Sequence, residues 1–226
     1  MTRWRDASFA AIDVETTGLN PSQDEVLSVG VVPIDNGRIA VGGNYYRTVR
    51  PRVAPDATTV VIHGIRPMDA AAAAPAEVVA RELAHMLRGR ILVAHVAHIE
   101  KAFLGRWLGP VGYRPTRFVD TDVLARLVIA KRGGPLVGAH VGLGAACGHF
   151  GLPEHRRHHA LGDALTTAQL FLATASLLAP DGEASVAQLL STDRALRAER
   201  RRRWIERTGS LMRRSPSAER SRANSP

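Results

Sequence analysis

Two acids one residue apart, Asp13 and Glu15, interrupt a run that otherwise reads as a buried strand, FAAIDVET. Residues i and i+2 of a strand share a face, so these carboxylates point the same way while Ile12 and Val14 pack on the opposite side. Carboxylates held that close repel each other unless a cation sits between them, and a donor set made only of oxygens suits Mg²⁺ or Mn²⁺. The same pair on an edge strand would be no more than a solvated acidic face. The TTGLNP that follows is polar and turn-forming, which puts the acids at the end of the strand.

Two further clusters carry groups of the right kind. In EHRRHHALGDALTTAQLF, residues 154–171, Asp163 falls in the first turn of an expected long helix and His158 lies five residues before it. Histidine is the side chain best suited to move a proton near neutral pH. His155, His158 and His159 could instead be read as a zinc site, but they lack a Cys partner and their spacing fits no common finger. A third reading is a helix N-terminus with incidental histidines. In LVAHVAHIEKAFL, residues 92–104, an apolar strand feeds a helix with Glu100 in its first turns. Taken alone, Glu100 is a surface glutamate paired with Lys101 or Arg106.

The elements that must position these groups follow from the apolar pattern. Phe9–Glu15, Val26–Ile34 and Arg38–Val49 read as strands, the last two joined by a tight turn at Asp35-Asn36-Gly37. PRVAPDATTVVIHGI is expected to run through loop and short turns. Apolar spacing predicts helices over Pro75–Arg88, Ala97–Leu108, Thr121–Ala130 and Leu161–Ala179, with a shorter one ending near Gly151. Short strands are expected at Ile91–Ala94 and Arg117–Val119. A meander followed by alternating strands and helices implies an α/β fold, a mixed sheet flanked by helices.

Composition bounds the rest. The length of 226 residues suits one ordinary domain with extra segments. No apolar run approaches the ~18–20 residues of a membrane span, and MTRWRD ahead of the first strand leads to the expectation of no secretory leader. Cys147 stands alone, which fits a reducing, cytoplasmic setting. Its neighbours LGAACGHFGL make it a small core residue on a short helix, with a catalytic thiol beside His149 as the weaker reading. The net charge of +9 is unevenly placed. Residues 194–226 hold eleven Arg and three Glu, whereas residues 1–193 hold 19 basic and 18 acidic groups. The domain is therefore expected over 1–193, and 194–226 as an Arg-rich helix followed by a disordered tail. That tail is either an arm for a phosphate backbone or a solvated terminus.

The order of DxE near the N-terminus, HxAxxE in the middle and HxALxD before a long helix resembles the DEDD exonuclease superfamily. It is most similar to the DEDDh branch that includes the proofreading epsilon subunit of bacterial DNA polymerase III. AIDVETTGLNP and HHALGDALTTAQLF carry the resemblance, with VIHGI and FVDTDVLAR as smaller matches, over about residues 7–180. The resemblance implies a ribonuclease H-like fold and a 3′–5′ exonuclease acting on single-stranded DNA 3′ ends, with RNA as the alternative and a DNA polymerase as candidate partner. It implies two Mg²⁺ or Mn²⁺ ions held by Asp13, Glu15, Asp163 and Glu100, with His158 rather than His159 as general base. Thr16, Thr17, Gly18, Leu19 and His63 then fall where the family meets the terminal nucleotide. The middle motif departs from the family: Glu100 stands where Asp is usual and Val96 where Asn is frequent. The departure leaves a second reading open, a catalytically weak nucleic-acid-binding or polymerase-associated subunit. It also leads to an expectation of reduced activity or a lean toward Mn²⁺. A DxDxT phosphatase is a remote third reading, since the second acid is Glu and no matching lysine motif is evident.

Overall fold

The computed structural model describes residues 2–134, 140–178 and 184–199. Seven strands form one mixed sheet: β1 (Phe9–Thr16), β2 (Val26–Asp35), β3 (Arg38–Ile39), β4 (Tyr45–Arg50), β5 (Ala74–Pro75), β6 (Ile91–Ala94) and β7 (Phe118–Asp120). Their order is β5-β4-β2-β1-β6-β7, with the short β3 also paired to β2. β2 is antiparallel to β1 and β4, while β6 runs parallel to both β1 and β7. The turn from β2 to β3 places Asn36 and Gly37 at φ 54° and 67°, the left-handed pair that a two-residue hairpin loop requires.

Helices cover both faces: α1 (Ala57–His63), α2 (Pro67–Ala71), α3 (Ala76–Leu87), α4 (His98–Leu108), α5 (Thr121–Lys131), α6 (Leu143–Phe150), α7 (Ala160–Leu178) and α8 (Val186–Leu190). Strand alternation sorts the core. Phe9 and Ala11 of β1, with Val32 and Ile34 of β2, bury against Ala164, Ala168 and Phe171 of α7. Ala10 and Ile12, with Val29 and Val31, bury on the other side against Val79 and Leu83 of α3 and Leu104 of α4. Helix α7 is long and apolar enough to span a bilayer by length and composition, and here that apolar surface is packed on the sheet.

The acid-bearing face of β1 is the α7 face, and one glycine sets how near the helix comes. Gly30 is paired with Asp13 across β1 and β2. A Cβ there would lie 2.2 Å from the backbone of Ala160, so only glycine admits the start of α7 at this spacing. Ala160, Ala164 and Ala168 continue the close contact at four-residue intervals.

Two expectations are corrected. The segment Arg38–Val49 is not one strand: a 3₁₀ turn over Val41–Gly43 divides β3 from β4, because Gly42-Gly43 cannot sustain the ladder. The stretch expected to be loop contains α1, whose Asp56 side chain accepts the Thr59 N–H and which ends at Gly64 with φ 74°. The β-branched run TTVVI hides that helix from a propensity reading, and only the caps betray it. Helix α8, closed by a Ser185–Gln188 capping box, was not expected either. Residues 192–199 are helical across the expected boundary at 193, and Leu196 is buried against Val123 and Leu127 of α5. The rest of the expected Arg-rich helix and tail lies outside the described residues.

Between β6 and α4 the chain turns through Val96 at φ 62°, a left-handed conformation that a β-branched side chain adopts at a cost. Asp120 holds that turn by accepting the backbone N–H groups of Val96 (3.1 Å) and Ala97 (3.0 Å). Asparagine tolerates this region far better than valine. Val96→Asn is expected to stabilise the fold by about 1 kcal/mol, read as a higher denaturation midpoint with unchanged m-value. A lower midpoint would show that the turn is not strained.

Candidate active site

Strands β1, β6 and β7 are parallel, so their C-terminal ends lie along one edge of the sheet. The chemistry-bearing groups gather there. Asp13 and Glu15 come from the end of β1, Asp163 from the first turn of α7. One oxygen from each of the three lies within 4.8 Å of the others, and among the described residues no other set of His, Cys, Asp or Glu meets this condition. Glu100 falls outside the trio. It is buried near the start of α4, close enough for its charge to act on Asp13.

The electrostatics report crowding. Burial, followed by the charges of Glu100, Glu15 and Asp163, pushes the Asp13 carboxyl well above the usual carboxylate range. Burial and then Asp163 raise Glu15 to about 7. Burial raises Glu100 to about 8, with the charge of Asp120 adding to it. Burial also raises Asp163, opposed by the nearby backbone and imidazole of His158, the backbone of His159 and the charge of Arg157. The Glu100 Oε2 atom is buried with no hydrogen-bond partner. A set of crowded oxygens with an orphaned acceptor beside it fits a divalent cation with a preference for oxygen ligands.

His158 lines the same cleft as Asp13 and Asp163, a cavity of about 400 Å³ bounded on its far side by the start of α6. Its backbone is left-handed, φ 53°. Gly162 lets the preceding loop fold down onto α7, since a Cβ there would meet the Arg156 carbonyl oxygen at 2.2 Å. His159 points elsewhere and stacks on Tyr46, ring centroids 4.5 Å apart. The zinc reading of His155, His158 and His159 finds no support, since they form no metal-ligand group among the described residues. Cys147 is fully buried and burial pushes its thiol up to about 11, which excludes it as a nucleophile at neutral pH.

The loop after β1 is tied internally. Thr16 Oγ1 donates to the Gly18 carbonyl (2.6 Å), and Thr17 Oγ1 donates to Asp24 while accepting the Glu25 N–H. Leu19 is 83% exposed, an apolar side chain held out in solvent at the tip of this loop. His63 sits at the end of α1, where its Nδ1 accepts the Ile65 N–H; it does not line the cleft. Two residues of this edge carried no assigned role in the sequence reading. One is Asp120, which fixes the turn before α4. The other is His95 on the cleft wall, whose Nε2 donates to the Val141 carbonyl at 2.7 Å and whose Nδ1 meets Thr121 Oγ1 at 3.0 Å. Their signal was positional: each lies at or just past the C-terminal end of a parallel strand.

Comparison with known proteins agrees with this arrangement. The family described as exonuclease, RNase T, matches residues 10–171. The DNA polymerase III PolC-type protein of Thermotoga maritima is 33% identical over 171 residues, covering 74% of this chain and 12% of that protein. The DNA polymerase III subunit epsilon-like protein of Rhodobacter capsulatus is 34% identical over 168 residues, 73% of this chain and 23% of that one. Among solved structures, E. coli exonuclease I in complex with a dT13 oligonucleotide superposes with a TM-score of 0.63 at 18% identity, over 74% of this chain and 40% of that one. Exonuclease I from Methylocaldum szegediense gives 0.65 at 19% identity, over 78% and 42%. The ribonuclease H-like fold is thereby shown, while the chain spans less than a quarter of the length of these curated relatives, 12% and 23%.

The raised carboxyl groups set a pH dependence. A carboxylate whose folded pKa lies above its unfolded one stabilises the fold at low pH, and that stability is lost as pH rises through the folded value. The metal-free protein should therefore lose thermal stability between about pH 5 and pH 8, the window set by Glu15 and Glu100, and millimolar Mg²⁺ or Mn²⁺ should restore it. Glu25, Asp35 and Asp122, held below the usual range, act in the opposite sense, below that window. A melting temperature flat from pH 5 to 8 without metal would refute the crowding.

Proposed function

The chain belongs to the RNase T exonuclease family, and on that premise we propose that it is a metal-dependent 3′–5′ exonuclease of the DEDDh kind. It hydrolyses the terminal phosphodiester of a DNA strand and releases a nucleoside 5′-monophosphate. One observation carries the reading: three carboxylates cluster, and two of them, Asp13 and Asp163, line a cleft that His158 also lines.

Asp13, Glu15 and Asp163 would hold two divalent ions, with Glu100 acting from beside Asp13. When bound, such ions supply Lewis-acid stabilisation for the charge that develops on the phosphoryl and leaving 3′-oxygens. The chain's own groups do the rest. His158 takes the proton of the attacking water at an imidazole nitrogen, a contribution of typically ~10²–10⁴-fold. Its left-handed backbone, and the close approach of the Arg156 backbone to Gly162 at the start of α7, set where that nitrogen stands. Thr16, Thr17 and Gly18 form a tied loop beside the acids, and the exposed Leu19 offers an apolar surface for the terminal base. The binding of dT13 by the E. coli neighbour supports DNA over RNA as substrate, and the polymerase III relatives support a replicative polymerase as partner in the cytoplasm.

A second reading, a weak nuclease that mainly binds nucleic acid, is favoured by one observation: Glu100 stays outside the trio with its Oε2 unpaired. Release of mononucleotides from 3′-labelled DNA and RNA oligonucleotides, with Mg²⁺ and then Mn²⁺, separates the two. His158→Ala should lower turnover by about 10²–10⁴-fold while metal binding by calorimetry persists, and His159→Ala should change little. The opposite ranking would overturn the assignment of the base. Glu100→Asp is expected to raise Mg²⁺-supported turnover several-fold and to narrow the advantage of Mn²⁺, because the shorter arm better suits octahedral geometry. Equal or lower activity with the same metal preference would remove Glu100 as the cause of any weakness.

A further inference from the structure

A second cavity, of about 390 Å³, lies between α4, the end of β4 and the loop leading into β2, and shares no lining residue with the catalytic cleft. Its apolar wall is the half-buried Trp107 of α4, with the buried Phe103 behind it, and Arg50, Arg52 and Arg106 stand around it. The two acids at its rim are already committed. Glu25 accepts the backbone N–H and the Nε of Arg52 (2.6 and 2.7 Å), and Asp24 accepts from Asn20 and Thr17. Each guanidinium, by contrast, keeps donors in hand. Arg50 gives its Nε to the Ala73 carbonyl and Arg106 its Nη1 to the Pro21 and Asp24 carbonyls, out of five N–H groups apiece. The cavity therefore calls for an anion that also has an apolar body, and its volume falls in the range that small-molecule sites occupy.

We propose that this cavity is a second nucleotide site, taking a nucleobase against its aromatic wall and a phosphate on Arg52 and its arginine neighbours. The demand for an apolar anion comes from the cavity alone, and the choice of a nucleotide rests on the exonuclease reading. Arginine forks match phosphate oxygens, and aromatic walls accept any base, so the site is indifferent to sequence. Its occupant is either a nucleotide of the bound strand or a free nucleoside monophosphate.

Calorimetry on the full chain in EDTA tests this. Without metal, the crowded carboxylates of the catalytic centre repel phosphate. Thymidine 5′-monophosphate should bind, with thymidine and inorganic phosphate at least about tenfold weaker. The double variant Arg50→Gln/Arg52→Gln should weaken it at least about tenfold while the chain stays folded, its melting temperature lowered only by the loss of the Arg50–Ala73 and Arg52–Glu25 contacts. Asp13→Asn should leave the affinity alone. If a longer oligothymidylate loses affinity in the arginine variant while a dinucleotide does not, the strand is the occupant. If only the mononucleotide responds, the occupant is free nucleotide. No binding, binding untouched by the arginine variant, phosphate binding as well as the nucleotide, or tighter binding in Asp13→Asn would each overturn the site. Turnover of a labelled oligonucleotide without mononucleotide binding removes only this site. Binding without turnover removes only the exonuclease reading.

Discussion

Mutual repulsion among Asp13, Glu15 and Asp163 is the constraint around which the molecule is arranged. At an effective dielectric constant of about 20, two like charges within 4.8 Å repel by on the order of 3 kcal/mol. No fold would gather three such groups, with Glu100 behind them, for stability alone. The surroundings give little relief: among the described residues no lysine or arginine forms an ion pair with the trio, each acid is partly buried, and only the nearby charges of His158 and Arg157 favour the ionised Asp163. What remains is proton uptake or a divalent ion, and the upward shifts of Glu15 and Glu100, caused mainly by burial, mark these carboxylates as groups that either would relieve.

Holding that arrangement takes rigid elements that approach closely. The parallel run of β1, β6 and β7 delivers three chain ends to one edge, where backbone direction changes and side chains can converge. Gly30 then brings the first turn of α7 down to β2 beside Asp13, so that Asp163 reaches the acids of β1. Asp120 sets the entry to α4 and hence the direction from which Glu100 arrives. Each positioning contact joins residues far apart in sequence. Substitutions at any of them would move a carboxylate without touching one.

This distance in sequence explains what was legible and what was not. The two-residue period placed Asp13 and Glu15 on one face, and the apolar spacing of 161–179 gave α7 to within a residue over its described length, because both signals are local. The hairpin at Asn36-Gly37 was equally local. Helix α1 was missed because its β-branched residues speak against a helix while its tertiary setting and caps decide for one. The left-handed turn at Val96 was hidden for a similar reason, since valine is a poor choice there and only the hydrogen bonds from Asp120 reveal it. The separation of Glu100 from the trio could not be read at all. It depends on the depth at which α4 packs, not on the motif that contains it.

Asp163 joins the two halves of the centre in a way that neither motif displays. The backbone of His158 and His159 lies close enough to favour the ionised form of Asp163, beside the turn that holds His158 at positive φ. The same carboxylate is the third member of the acid cluster. A proton on Asp163 would weaken both relations together, because a neutral carboxyl interacts less with the His158 segment and is a poorer neighbour for a cation. Charge on the cluster and the surroundings of the base are therefore linked. A cation held by the cluster would favour the ionised Asp163, whose charge acts on the His158 segment that lines the cleft.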